Sequence, residues 1–149
     1  MYGTTLNTKI QGLTKECLSP EQIQSKLKAA GVNPTAQRLA ICRYVLCEAD
    51  HPTADDVKEW TDLNFPKLSL ATVYNSLKTL VEAGLLQELK LPHSDKVFYD
   101  SRVSDHYHFL DESSGKLIDL MPDQVQVTPK LEHDFAIESI QVLIRGRRA

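Results

Sequence analysis

The stretch with the most chemistry in this chain is His106-Tyr107-His108. On a strand, residues two apart point to the same side, so both imidazoles can reach one ion. Asp119 falls on the next predicted strand, across a turn at Ser113–Lys116, and can join them. Asp100 lies at the junction between the two halves of the chain, and His51 lies between two predicted helices of the first half. Imidazole nitrogen and carboxylate oxygen without thiolate suit iron(II), manganese(II), zinc or nickel, and not a closed zinc–thiolate site. The pattern alone marks a candidate only, because H-x-H pairs and hairpin acids also occur on ordinary surfaces. Asp105 is either an orienting neighbour of His106 or a solvated acid. His93 is expected in an exposed turn, and His133 is a candidate for a second metal site. Two histidines and a carboxylate also compose an iron(II) oxygenase triad. No cosubstrate motif accompanies them here, and the first hundred residues would have no role in such an enzyme.

The elements that must position these residues are legible from caps and periodicity. Ser19-Pro20-Glu21 opens a helix that runs through Ile23 and Leu27 and stops at Gly31. A second helix starts near Thr35, carries Leu39, Cys42, Val45, Leu46 and Ala49 at helical spacing, and ends before His51-Pro52. Thr53-Ala54-Asp55-Asp56 resembles a capping box and opens a third helix with Val57, Trp60 and Leu63 as its apolar face. Ser69 caps a fourth helix, Leu70 to Ala83, ended by Gly84. Its apolar stripe is Val73, Leu77, Leu80 and Val81, and its opposite face carries Thr72, Asn75, Ser76, Lys78 and Thr79. Strands at Leu85–Leu91 and Lys96–Tyr99 flank a turn at Pro92–Asp95. Three helices, a recognition helix and a hairpin predict a winged helix-turn-helix over residues 1–100.

Residues 101–149 read as a small α/β unit. Strands at His106–Asp111, Leu117–Leu120 and Ile137–Ile144 are expected to form an antiparallel sheet. The fold class is therefore α+β. A unit of that size has little core of its own, so pairing of two copies into a homodimer is expected.

Bulk properties bound the function. An apolar fraction of 42% with 25% charged residues describes a globular chain. No apolar run approaches the roughly 18 residues of a membrane span, and Met1 to Lys15 lacks an apolar signal core, which predicts a cytoplasmic protein without a membrane partner. Net charge is −3, with bases and acids balanced up to Lys90, so double-stranded DNA binding would need bases clustered on one face. Three cysteines do not suggest staples. Cys42 and Cys47, about 140° apart on a helix, read as a thiol pair and not as ligands of one ion.

The segments GVNPTAQRLAI, HPTADDV, FPKLSLATVYNSLKTLVEAGLL, FYD, SDHYHFLDESSGKLIDL and the tail VLIRG together resemble the ferric uptake regulator family. The resemblance covers most of the chain, and the pairing of S-x-A-T-V-Y-N with D-H-Y-H is specific. Within the family the chain is most similar to the peroxide-responsive regulators. The resemblance implies that His51, Asp100, His106, His108 and Asp119 hold a regulatory Fe(II) or Mn(II), with zinc an occupant in purified protein. Asp rather than Glu at 119 goes with peroxide oxidation of His51 and His106. Arg38, Ser69, Thr72, Tyr74, Asn75 and Lys78 are the implied DNA contacts, Tyr74 at thymine methyls and Arg38 near the backbone or minor groove. The expected function is a metal-dependent repressor on a palindromic operator, with the ion fixing the DNA-binding conformation. Two departures stand out. Many members hold a structural zinc on two C-x-x-C pairs, but the first pair's positions here are Asp111 and Ser114, so no such four-cysteine structural zinc is expected. The proline-broken segment Met121–Phe135 resembles the haem-responsive iron-response regulators, which makes that signal the alternative.

Overall fold

In a computed structural model the described residues are 17–149, except His93. The expectations for Met1–Lys15 and for His93 lie outside them. The chain divides into two compact units between Val103 and Ser104.

Among the described residues, the first unit holds four α-helices and a hairpin. Helix α1 spans Pro20–Ala29, α2 Ala36–Arg43, α3 Ala54–Asn64 and α4 Leu70–Glu82. Each begins at a hydroxyl that satisfies backbone N–H groups otherwise left bare. Ser19 and Thr53 form full capping boxes with Gln22 and Asp56, while Thr35 and Ser69 cap with their side chains alone. Ile23, Leu27, Ile41, Val57, Leu77 and Leu80 form the centre of the core and are almost wholly inaccessible. Gly84 has φ of +74°, a left-handed turn that suits glycine and ends α4.

Three details differ from the periodicity. After α2 the chain does not continue as α-helix but forms a π-turn, Tyr44–Glu48, closed by Ala49 N–H on Tyr44 O at 2.8 Å. One residue too many per turn lets Val45 and Leu46 stay buried while Ala49 leaves the helix extended. Leu63 is 85% exposed, and the buried position of that turn is Thr61, whose hydroxyl donates to Lys58 O at 2.9 Å. Ser76 faces inward, its hydroxyl satisfied by Thr72 O at 2.8 Å, so a small polar residue sits in the core face of α4.

Strands β1 (Gln87–Lys90) and β2 (Val97–Asp100) pair antiparallel with Gln87 opposite Asp100. Tyr99 N–H donates to Pro52 O at 2.9 Å, which ties the hairpin to the loop between α2 and α3.

The second unit is a three-stranded sheet with β3 (Tyr107–Asp111) between β4 (Lys116–Leu120) and β5 (Leu143–Gly146). β4 pairs antiparallel with His108 opposite Asp119, but β5 runs parallel to β3. The expected all-antiparallel sheet over Ile137–Ile144 is corrected in both direction and extent. Alternation tells which face a residue takes, whereas the long connection after β4 lets the chain return in either direction. A Cβ on Gly146 would lie 3.1 Å from the ring of Phe109, so glycine lets β5 approach β3 closely there.

Cys47 is bonded to Cys17, not paired with Cys42, and Cys42 is a buried thiol. The thiol-pair reading failed because pairing depends on chain segments far apart in sequence. Burial pushes the Cys42 thiol up to about 12, outweighing the nearby Arg38 charge. No helix among the described residues is long and apolar enough to cross a membrane.

Candidate metal centre and nucleic-acid interface

In the first unit, the loop from the π-turn to α3 and the end of β2 bring His51 beside Asp100. The Tyr99–Pro52 hydrogen bond makes this possible, since it places the next residue of β2 against the residue preceding Pro52. His51 Nε2 is 3.4 Å from Asp100 Oδ2, and both side chains are buried. His51 Nδ1 lies 2.7 Å from Asp50 Oδ1. The carboxylate only accepts, so Nδ1 donates to Asp50 and Nε2 is the nitrogen that faces Asp100. Asp100 Oδ1 accepts from Arg102 N–H at 2.9 Å. His51 has φ of +43°, a left-handed backbone that non-glycine residues adopt at a cost of about 1 kcal/mol or more.

In the second unit, His106 precedes β3 and His108 lies on it, and both rings are buried on one side, with centroids 4.6 Å apart. The register sets Asp119 directly across from His108. Asp119 Oδ1 is 3.3 Å from His106 Nε2 and 3.5 Å from His108 Nε2. His106 Nδ1 donates to Ser104 O at 2.7 Å, so Nε2 is the nitrogen that faces Asp119. Asp105 is exposed, so the orienting group is the Ser104 carbonyl. Asp50 and Ser104 thus take the orienting role that ligand histidines commonly require. The adjacency of Asp50 to His51 was visible in the sequence, whereas a backbone carbonyl leaves no residue-type signal. His133 is exposed, its ring edge-on to Phe135, and belongs to no gathered donor set among the described residues.

Each donor set fits a divalent cation by its chemistry. His51 Nε2 with Asp100 Oδ2, and His106 and His108 Nε2 with Asp119 Oδ1, are each gathered within 3.5 Å. Imidazole nitrogen and carboxylate oxygen are the donors that Fe(II), Mn(II) and Zn(II) accept, and a hydrogen bond at Nδ1 orients Nε2 of His51 and His106 toward such an ion.

The positions of the family's first cysteine pair do not fit zinc. Asp111 instead accepts from Ser113 N–H at 3.0 Å, Ser113 Oγ at 2.5 Å and Ser114 Oγ at 2.9 Å. The Ser113 and Ser114 hydroxyls hold its carboxyl below the usual carboxylate range. Arg145 Nε and Nη2 both donate to Glu112 Oε1, at 3.0 and 2.7 Å, which fastens β5 beside this turn.

On α4 the outward face presents Tyr74 (49% exposed), Asn75 and Lys78, with Ser69 and Thr72 at its start. The Ser69 and Thr72 hydroxyls are 3.0 Å apart. Lys78 reaches Glu82 at 3.8 Å. Arg38 is half-buried, with Nη1 donating to Asn33 O at 2.6 Å.

The described chain thus pairs a helical unit whose α4 turns a polar face outward with a small sheet bearing histidines and a carboxylate. The model of the ferric uptake regulator family matches residues 29–145. The peroxide-responsive repressor PerR of Staphylococcus aureus (strain USA300) is 36% identical over 129 residues, covering 85% of this chain and 86% of that protein. Among solved structures, PerR from Streptococcus pyogenes, described for peroxide sensing and gene regulation, is 28% identical with a TM-score of 0.52, covering 90% and 94% of the two chains. The ferric uptake regulator from Pseudomonas aeruginosa with manganese is 24% identical, with a TM-score of 0.61 over 84% and 96%, a likeness of fold. The chain belongs to the ferric uptake regulator family, whose members are metal-responsive, dimeric, DNA-binding transcription regulators. Membership sets aside the enzyme reading of the two histidines and carboxylate.

Proposed function

We propose that this chain is a cytoplasmic repressor whose grip on a palindromic operator depends on Fe(II) or Mn(II), and that peroxide is its signal. The observation that carries this reading is Asp119 Oδ1 facing the Nε2 atoms of His106 and His108 at 3.3 and 3.5 Å, with His106 turned by the Ser104 carbonyl. His51 and Asp100 are the further donors. A divalent cation, when bound, would supply a double positive charge to its imidazole and carboxylate donors.

The donors come from both units of the chain. Were all of them to hold one ion, the recognition helix would be held in a single attitude toward DNA. A ligand at about 100 times its Kd stabilises the state it prefers by roughly 2.7 kcal/mol. Allosteric coupling of about 1–3 kcal/mol is typical, so this suffices to switch operator binding. Two copies would set two α4 helices into successive major-groove faces, Ser69, Thr72, Tyr74, Asn75 and Lys78 reading the groove and Arg38 meeting the backbone. Oxygen added to His51 or His106 would remove a donor lone pair and release the operator. The kinship with PerR supports peroxide as that signal, and manganese accompanies the Pseudomonas aeruginosa protein.

Gel-shift titration tests the switch. Operator affinity should fall at least about 5-fold on chelation or in His108→Ala with Mn(II) present. Equal affinity in all three conditions would sink the reading. Mass spectrometry of the iron-loaded protein after peroxide should find one added oxygen atom on His51 or His106, and unmodified histidines would refute the peroxide signal alone.

A further inference from the structure

The π-turn Tyr44–Glu48 and the loop after it are held at two points. Upstream of His51, Cys47 is bonded to Cys17, just ahead of α1. Downstream, Pro52 O accepts from Tyr99 N–H at 2.9 Å. Between the two points Ala49 is extended, and His51 sits at φ of +43° with its ring toward Asp100. A side chain on a left-handed backbone keeps its direction only while the surrounding chain over-determines it. Cys17 is exposed and Cys47 half-buried, so small reagents can reach the pair. Cys42 is buried and outside the bond, which leaves it a poor partner for exchange.

We propose that Cys17 and Cys47 form a reversible thiol–disulfide pair that sets how firmly His51 is presented for metal binding. The inference rests on the reading of His51 as a ligand. The chemistry balances with a hydroperoxide as oxidant. One cysteine thiolate attacks the peroxide oxygen, giving a sulfenic acid and releasing an alcohol or water after protonation. The second thiol then displaces water and forms the S–S bond, so two electrons pass from the two sulfurs to the peroxide. A dithiol or phosphine reverses it. Disulfides in a reducing compartment are mostly transient and redox-sensing, and this one stands four residues before a candidate ligand. With the bond closed the segment before His51 is tied covalently to the start of α1, and with it open that tie is lost while the Ala49–Tyr44 and Tyr99–Pro52 hydrogen bonds remain.

The test uses the full chain, stripped of metal before oxidation so that no iron-driven damage intervenes. Alkylation and mass spectrometry follow the Cys17–Cys47 bond through hydroperoxide and phosphine treatment, and Mn(II) alone is titrated into each form. The oxidised chain should bind Mn(II) at least about 5-fold more tightly than the reduced chain. Cys17→Ser should bind as the reduced chain does whatever the treatment. In His51→Ala the dependence on redox state should vanish. By linkage, saturating Mn(II) should make the disulfide harder to reduce by the same factor. A bond that opens and closes without changing Mn(II) affinity overturns the proposal while leaving the metal reading intact. So does a bond that never forms. An absence of Mn(II) binding in both forms overturns both.

Discussion

A carboxylate oxygen within 3.5 Å of two imidazole nitrogens is the arrangement from which the functional reading grows, and only part of it was legible beforehand. H-x-H on a strand with Asp119 on the partner strand could be read because register and side-chain alternation are local properties. The Ser104 carbonyl could not, since backbone groups are the same in every residue. Asp111 makes the same point from the other direction. The residue type announced a missing thiolate, but the three hydrogen bonds it gathers depend on the turn's conformation. Its carboxyl sits below the usual range, first through Ser113 and then Ser114. A depressed carboxyl stabilises the fold above its unfolded value of about 3.9 and loses that contribution as pH falls through the folded value. Asp111→Asn should therefore lower the Tm at pH 7, and the gap to the parent should shrink as the pH drops below about 4. Thermal melts across pH check this, and a gap independent of pH would count against the carboxylate's role.

At the scale of elements, the caps did most of the predicting. Ser69 and Gly84 bracket α4 because each supplies a conformation or acceptor that the helix end demands, so its span was within a residue. The π-turn escaped because one extra residue leaves the apolar spacing of Val45 and Leu46 intact. Leu63 misled because a large apolar residue near a helix end can face solvent when a small hydroxyl, here Thr61, fits the interior better. The two faces of α4 give separable expectations. Leu77 is wholly buried, and Leu77→Ala should cost about 2–5 kcal/mol of unfolding free energy. Tyr74 is half exposed, and Tyr74→Ala should stay within about 0.5 kcal/mol while weakening operator binding. Denaturant titration beside gel shifts would separate them, and a Tyr74 variant that unfolds would refute its assignment to the DNA face.

At the scale of the molecule, the second unit leaves much apolar surface in water. Leu131, Phe135 and Ile137 are each more than half exposed, in a stretch without regular structure after β4. A chain of a dimeric family that shows such residues has a ready use for them. The double variant Phe135→Asp with Ile137→Asp should shift the species seen by analytical ultracentrifugation from dimer toward monomer and weaken operator binding with it. An unchanged dimer would place the interface elsewhere. The parallel β5 explains why this part of the fold was hardest to foresee. Its direction is decided by pairing with β3 across a long connection, not by any local pattern.

The left-handed backbone of His51 has a consequence for how this position can vary over evolutionary time. Glycine would suit that conformation better, and asparagine about as well, so backbone preference alone gives selection no reason to keep an imidazole there. A lineage that no longer needed the ring would be expected to drift toward the more comfortable residues, while the neighbouring capping box at Thr53 stayed in place for the fold. Histidine at 51 is thus a place where backbone comfort and the proposed ligand role pull apart.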